Sequence, residues 1–286
     1  MKMVIAFIIV TAFSLYSLQA YDLTGNWELV QAKETRARLN KEGSVVYLSG
    51  DVIIKHDSDE YRSDSVVFYE KAEKVILSGH VDVRRNDARV KADTCEFMGT
   101  SNIAVFKGNV VITRSSSTIT GDRAVIKTTT ADIEVTGDVN FTQQQYTGFA
   151  DYFYYNDELQ TIFMDGIPYI VFDGNYAGGG LMTISLNDKS EIQKAHIEYH
   201  TDLYWVKNGK EMTVHSAVMD IFFTEKNEPS YALLENDVTV LLEEKGYFHT
   251  MNGDHMRAEF GEKTVKTVFL DGKVRGSRQM KENESQ

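Results

Sequence analysis

One cysteine, Cys95, and two prolines, Pro168 and Pro229, are all that 286 residues contain of either type. A lone thiol has no partner within the chain, so no internal disulfide supports this fold and ladders and core must hold it together. Cys95 stands in an apolar column and reads as a small buried hydrophobe, not a reactive group. Proline removes a ladder donor, and its scarcity leaves room for long unbroken strands. Basic charge is scarce too: the formal net charge is −12. That balance argues against nucleic acid as a partner, which needs a basic footprint. No helical period appears after residue 20. No nucleophile–histidine–acid grouping or carboxylate pair stands out, so no enzyme is expected, and no metal or cofactor.

Three local patterns are set aside on spacing. His196 and His200 are four apart, the spacing of a helical metal pair, but on a strand that is roughly 13 Å, and they read as surface imidazoles. Asp57, Ser58, Asp59 and Glu60 lack the glycine and closing glutamate of a calcium loop and read as a solvated turn. Asn140-Phe141-Thr142 is a glycosylation sequon by letter, but Phe141 falls in a core column.

What the chain does have is a strict period. Gly50, Gly79, Gly108, Gly137 and Gly166 are each 29 residues apart, and Asp64, Asp93, Asp122 and Asp151 keep the same step. Such a period means one structural unit built repeatedly. Two and four residues to either side of each glycine the chain is apolar: Leu48, Val52 and Ile54; Leu77, Val81 and Val83; Phe106, Val110 and Ile112; Val135, Val139 and Phe141. The residues between are mixed, the alternation of a strand with one buried face. The glycine falls midway along a stretch too long for one ordinary strand and marks the corner where the strand turns. After each aspartate a second strand carries Val66, Cys95, Ala124 and Phe153 in one column and Phe68, Phe97, Ile126 and Tyr155 in the next. The aspartates read as structural, turning the chain by bonding nearby backbone amides. The expected fold is therefore all-β, built from about eight two-strand repeats.

In chain order, residues 1–20 have the shape of a secretory signal peptide: Lys2, an apolar run, then small residues up to Ala20. The rival reading is a retained membrane anchor, because Met3 to Leu18 is nearly long enough to span a bilayer. Residues 21–172 hold the 29-residue repeats. They open on a partial unit with an entry strand at Trp27 to Val30, and with Ala37 and Leu39 in the columns of Val66 and Phe68. Residues 173–180 (DGNYAGGG) are a glycine-rich interruption, and not a phosphate loop, since no Lys-Ser/Thr follows and no helix begins there. Residues 181–278 continue the pattern at longer spacing. There Asn236 and Gly272 stand in the glycine's place, and a weaker copy centres near Tyr199. Residues 279–286 are a polar tail. The aromatic run Tyr146, Phe149, Tyr152, Phe153, Tyr154 and Tyr155 covers both strand faces; it is either a crowded part of the core or, through outward Tyr152 and Tyr154, a contact surface.

The segments L-S-G-D-V-I-I (Leu48 to Ile54), L-S-G-H-V-D-V (Leu77 to Val83), F-K-G-N-V-V-I (Phe106 to Ile112) and I-T-G-D-R-A-V-I (Ile119 to Ile126), with the opening E-L-V-Q-A-K-E-T-R-A-R-L (Glu28 to Leu39), resemble the OstA/LptA-like family of lipopolysaccharide-transport proteins. The resemblance implies an elongated, V-shaped antiparallel β-jellyroll with an open groove. It implies a periplasmic carrier in a two-membrane bacterium that shields the acyl chains of lipopolysaccharide (lipid A). It also implies stacking through end strands with other jellyroll proteins of the pathway or with copies of itself. The groove would be lined by Leu48, Val52, Ile54, Phe68, Leu77, Val81, Val83, Phe97, Phe106, Val110, Ile112, Ile126, Val135, Val139, Phe141 and Phe153. Two readings compete with it: a membrane-anchored component of the same pathway, resembling LptC, and a structural or adhesive β-solenoid with a dry core.

Overall fold

The computed structural model describes residues 27–280, apart from 41–42, 57–58, 115–116, 128, 144–145, 157, 173, 188–191, 208–209, 226–228, 245 and 262–263. The expected leader, and residues 281–286 of the expected tail, lie outside the described residues. Twenty strands make up nearly everything else. They begin with β1 (Trp27–Gln31), β2 (Glu34–Asn40), β3 (Gly43–His56), β4 (Asp59–Tyr69), β5 (Lys74–Arg85), β6 (Ala88–Met98), β7 (Ile103–Arg114), β8 (Ser117–Lys127), β9 (Ile133–Gln143) and β10 (Tyr146–Asn156). Next come β11 (Thr161–Asp165), β12 (Tyr169–Phe172), β13 (Asn175–Gly178), β14 (Leu181–Leu186) and β15 (Ile192–Lys207). The last are β16 (Lys210–Phe223), β17 (Pro229–Glu244), β18 (Tyr247–Gly261), β19 (Thr264–Asp271) and β20 (Arg275–Met280). A 3₁₀ turn at Gly99–Ser101 is the one helical element among the described residues, and no helix there is long and apolar enough to cross a membrane. The described pairings are antiparallel, each bent strand laid against the next. Both prolines sit where a ladder tolerates them: Pro229 opens β17, and Pro168 lies between β11 and β12.

The chain forms two compact units. The first holds residues 27–143 and Tyr152–Leu159; the second holds residues 146–151 and 160–280, so the division falls within β10. In both, the strands bend at the places the period marks. Each of Gly50, Gly79, Gly108, Gly137, Gly166 and Gly272 is left-handed, and so is the residue after it: Asp51, His80, Asn109, Asp138, Ile167 and Lys273. Tyr199-His200 and Asn236-Asp237 are left-handed at both positions too, so the two corners without glycine are corners nonetheless. Ladder register breaks at these points, as between Ser49 and Val52 and between Glu235 and Val238. Four strand pairs (β1 and β2, β11 and β12, β13 and β14, β19 and β20) are the two arms of one bent strand, which reduces twenty strands to sixteen bent ones.

A corner has room for one side chain, and two residues compete for it. At Gly108 a Cβ would lie 2.2 Å from Asp93 Oδ2, and at Gly79 a Cβ would lie 2.2 Å from Asp64 Oδ2. The aspartate column thus has a structural role, but a different one from that expected. Each carboxylate fills the corner of the following strand, and two of them take a side chain from it: Asn109 Nδ2 donates to Asp93 Oδ2 at 2.9 Å, and His80 Nδ1 lies 2.9 Å from Asp64 Oδ2. At Tyr199 the roles are exchanged. There the corner residue carries the side chain and the preceding strand supplies the glycine, since a Cβ on Gly180 would lie 2.8 Å from Tyr199 Cβ. Gly178, Gly179 and Gly180 therefore mark close approach of backbones, whereas Gly174 has φ +77° and open space around it. The stretch itself contains β13, paired with β12 and β15.

The opening unit departs from the period. Thr35 and Ala37, and not Ala37 and Leu39, occupy the columns of Val66 and Phe68, because they pair with Leu48 and Val46 from the other side of β3. The last pair of β2 and β3 is Asn40↔Gly43, against Tyr69↔Lys74 one unit later, so the arms gain two pairs and the phase slips by two. Lys33 takes the corner position against Gly50 and binds Asp51 at 2.6 Å. Leu39 is left 84% exposed.

In the first unit the arms on the two sides of the corners form two walls with their even-offset side chains inward. Rings meet across the interior: Tyr61 from one wall reaches Phe97 of the other at 5.4 Å between centroids, edge to face. Bulky residues fill this interior, with Val, Ile, Leu and Phe predominating. The second unit is lined more by small and flexible side chains, among them Ala177, Met182, Ala195, Met219, Ala232, Met256 and Ala258, and encloses a hydroxyl pair in which Thr201 Oγ1 and Ser216 Oγ are 2.5 Å apart.

Candidate functional site

All sixteen residues expected to line a groove belong to the first unit and point into its interior. Phe68 is half-buried and the rest are buried. Most of that interior is closed by its own side chains. Space remains at the end formed by β1 to β5, where a cavity of about 590 Å³ opens, within the range of ordinary ligand pockets. Leu48, Ile54 and Phe68 of the expected set line it, with Trp27, Val46 and Val75.

The cavity wall is apolar and its rim is polar. Glu28, Ser44, Glu70, Glu73 and Lys74 stand around it. Ser44 donates from both Oγ and the backbone nitrogen to Glu70 Oε2, the latter at 3.3 Å, and these bonds hold the Glu70 carboxyl below its usual range. Lys74 pairs with Glu96. The rim thus keeps more carboxylate than cation.

Beyond the apolar columns the inward face ends in a polar seam. Asp59 is buried, accepts the Tyr61 hydroxyl at 3.3 Å and faces Arg85 Nε at 3.5 Å. This corrects the expectation of a solvated turn for Asp59: the residue lies on the inward parity of β4, two before Tyr61, and takes a cation as partner. Glu60, on the outward parity, pairs with Arg62 at 2.7 Å, and Asp57 and Ser58 lie outside the described residues. On the outer face Asp82 is gripped by Arg89 and Arg84, at 2.5 and 3.0 Å. Burial pushes its carboxyl upward, but the two guanidiniums outweigh that and bring it down to about 2.

The other expected features resolve individually. His196 Nδ1 lies 2.5 Å from Asp220 Oδ1 and its Nε2 is 3.4 Å from Glu198. Among the described residues no group of three or more potential ligands could hold a metal ion. Cys95 is buried completely and burial raises its thiol pKa well above the ordinary value. In the aromatic run Phe153 and Tyr155 are core, whereas Tyr152 and Tyr154 are half-buried. Tyr154 donates to Asp132 Oδ2 at 3.3 Å and accepts from Asn156 Nδ2 at 3.1 Å.

Two family models match this chain. One, described as "LptA/(LptD N-terminal domain) LPS transport protein", covers residues 90–202; the other, described as "OstA-like protein", covers residues 26–123. The chain belongs to the OstA/LptA-like family. The two matches together take in the whole first unit and run into the second. Among solved structures, LptH of Pseudomonas aeruginosa, titled the LptA-homologous periplasmic component of the lipopolysaccharide transport device, is 17% identical. That match covers 43% of this chain and 98% of LptH, with a TM-score of 0.38. A search of the curated proteins finds no match.

Within this OstA/LptA-like interior, sequence reasoning passed over Tyr61 and Ile119, both fully buried. They stand three residues before Asp64 and Asp122, so the same 29-residue step points to them. Trp27 at the cavity wall carried no such signal, because its unit is out of phase.

Proposed function

We propose that this chain carries lipopolysaccharide through the periplasm, holding acyl chains inside the first unit and admitting them at the end cavity. The observation that carries this reading is that cavity. It is an apolar opening with a polar rim, in the unit that both family models match, continuous with columns of Leu, Val, Ile and Phe. Burial of a chain is worth roughly 0.8 kcal/mol per CH₂, so apolar columns retain it without specific polar contacts. Residues that repeat at each step make successive positions nearly equal in energy, which suits a chain that must move on. The terminal strands support assembly. Among the described residues β1 and β2 pair only with β3, and β19 and β20 only with β18. Their free edges, with exposed Leu29, Val30, Phe269 and Met280, suit strand addition by another jellyroll protein or a second copy.

The dry solenoid is the second reading, favoured by the close packing of most of the interior. Photo-crosslinkers placed at Phe68, Phe106 and Lys107 in cells separate the two. The carrier captures lipopolysaccharide from Phe68 and Phe106 but not from Lys107, which points outward. Labelling from Lys107 alone, or from no position, refutes the carrier.

A further inference from the structure

Trp27 opens β1, a strand whose other four residues are exposed. Among the described residues β1 pairs with β3 alone, through a register that breaks between Leu29 and Gln31. Short, singly paired segments of this kind lie at the low-stability end of a fold. Its indole nevertheless turns inward. The ring lies 4.8 Å from His56, 5.2 Å from Tyr61 and 5.8 Å from Phe68, centroid to centroid. It forms part of the cavity wall, and behind it Tyr61, Phe97 and Phe106 continue edge-on at 5.4 and 6.2 Å. The rings thus form a file leading from the cavity into the interior. The indole is seated without being fastened: Nε1 is sealed from solvent and has no acceptor among the described residues. A buried donor left unmatched favours leaving the site.

We propose that Trp27 is a plug, a piece of this chain that occupies the acyl-chain entrance of the first unit until a lipid displaces it. The inference rests on the carrier reading above and adds to it a resting state in which the entrance is filled by the protein itself. Loading swings the indole out on its weakly held strand, and the chain takes its place against Phe68, Tyr61 and the rings beyond. A plugged molecule is not competent to bind, so the apparent dissociation constant is the intrinsic one divided by the unplugged fraction.

The full chain carries two tryptophans, Trp27 and Trp205, so Trp205→Phe leaves Trp27 as sole reporter. Adding lipid A is expected to shift its emission to the red and to increase its quenching by acrylamide. Trp27→Ala is expected to bind lipid A with an apparent dissociation constant about tenfold lower, if the ring is seated nine times in ten, and Trp27→Phe is expected to fall between. Native mass spectrometry reports lipid occupancy independently. If lipid A binds while the Trp27 emission stays put or moves to the blue, the plug is refuted and the carrier stands. If Trp27→Phe binds more weakly than the parent, the ring belongs to the binding surface and the plug is again refuted; that variant decides the matter if Trp27→Ala does not fold. If none of the proteins retains lipid A, the carrier reading falls and the plug falls with it.

Discussion

The claim that each corner admits a single side chain can be tested at Gly108 and Asp93. Gly108 has φ +76°, and a Cβ there would lie 2.2 Å from Asp93 Oδ2, 2.8 Å from Cγ and 3.0 Å from Cβ. Gly108→Ala therefore meets two costs. The left-handed conformation costs an L-residue about 1–2 kcal/mol, and forcing the carboxylate aside costs about 1–3 kcal/mol more. The single variant is expected to lose about 3 kcal/mol. Asp93→Ala removes the carboxylate and its hydrogen bond from Asn109, on an exposed surface, for about 0.5–1 kcal/mol. In the double variant the alanine at 108 meets only a Cβ at 3.0 Å, and the steric part largely disappears. The expected coupling is about 1–2 kcal/mol in favour of the double variant, well outside the roughly 0.5 kcal/mol within which independent sites add. Urea unfolding of the Trp205→Phe protein, read from Trp27 in the same unit, measures all four corners of the cycle. For comparison, Gly246 has φ +80° and nothing within 4 Å of a built Cβ. Gly246→Ala, read from Trp205 in the second unit, should therefore show the dihedral cost alone. Additivity at 93 and 108, or a Gly108→Ala cost no larger than that at Gly246, refutes the reasoning.

Cys95 should resist thiol reagents in the native protein and react at once in urea, since it is fully buried and its thiolate is disfavoured by burial; mass-shift labelling with iodoacetamide checks this, and rapid native labelling contradicts it. Asp82, with its carboxyl lowered to about 2, contributes stability that is present above pH 3.8 and is lost as pH falls through 2. Asp82→Asn should cost about 1 kcal/mol at pH 7 after allowance for solvent screening, and urea midpoints of parent and variant should converge at about pH 2.

Bending was legible in the sequence wherever the period held. It was legible even where glycine was missing: Asn236 stood in column, and its left-handed φ of +64° follows from what asparagine tolerates. The occupant of each corner was harder to see. That Tyr199 and Gly180 exchange the parts played by Gly79 and Asp64 depends on which strands lie side by side, and spacing within a strand does not carry that information. The phase slip at Lys33 was hidden for a similar reason: it arises in the tight link Asn40↔Gly43, and a period fitted to later units has no way to anticipate a shorter turn. Inward parity was readable for all sixteen interior residues, because alternation records which side faces water. Whether that interior stands open or filled was not readable, since the rings that fill it, Tyr61, Phe97 and Phe106, satisfy the same apolar pattern in either state.

A filled interior and a carrier's function are reconciled by where the backbone bonds run. Each strand pair of the first unit is laddered on both sides of its corner, and each arm bonds to the neighbouring arm of its own wall. Across the interior the walls meet through side chains such as Tyr61 and Phe97. Parting the walls therefore breaks no ladder hydrogen bond and exchanges one apolar contact for another. Ten methylenes of an acyl chain contribute on the order of 8 kcal/mol on burial, which is enough to offset the loss of several ring contacts of about 1 kcal/mol each. A dry solenoid gains nothing from such an arrangement, whereas a carrier can load and empty at little net cost. On the carrier reading, the end with the 590 Å³ cavity and the unfastened indole is where the walls part first.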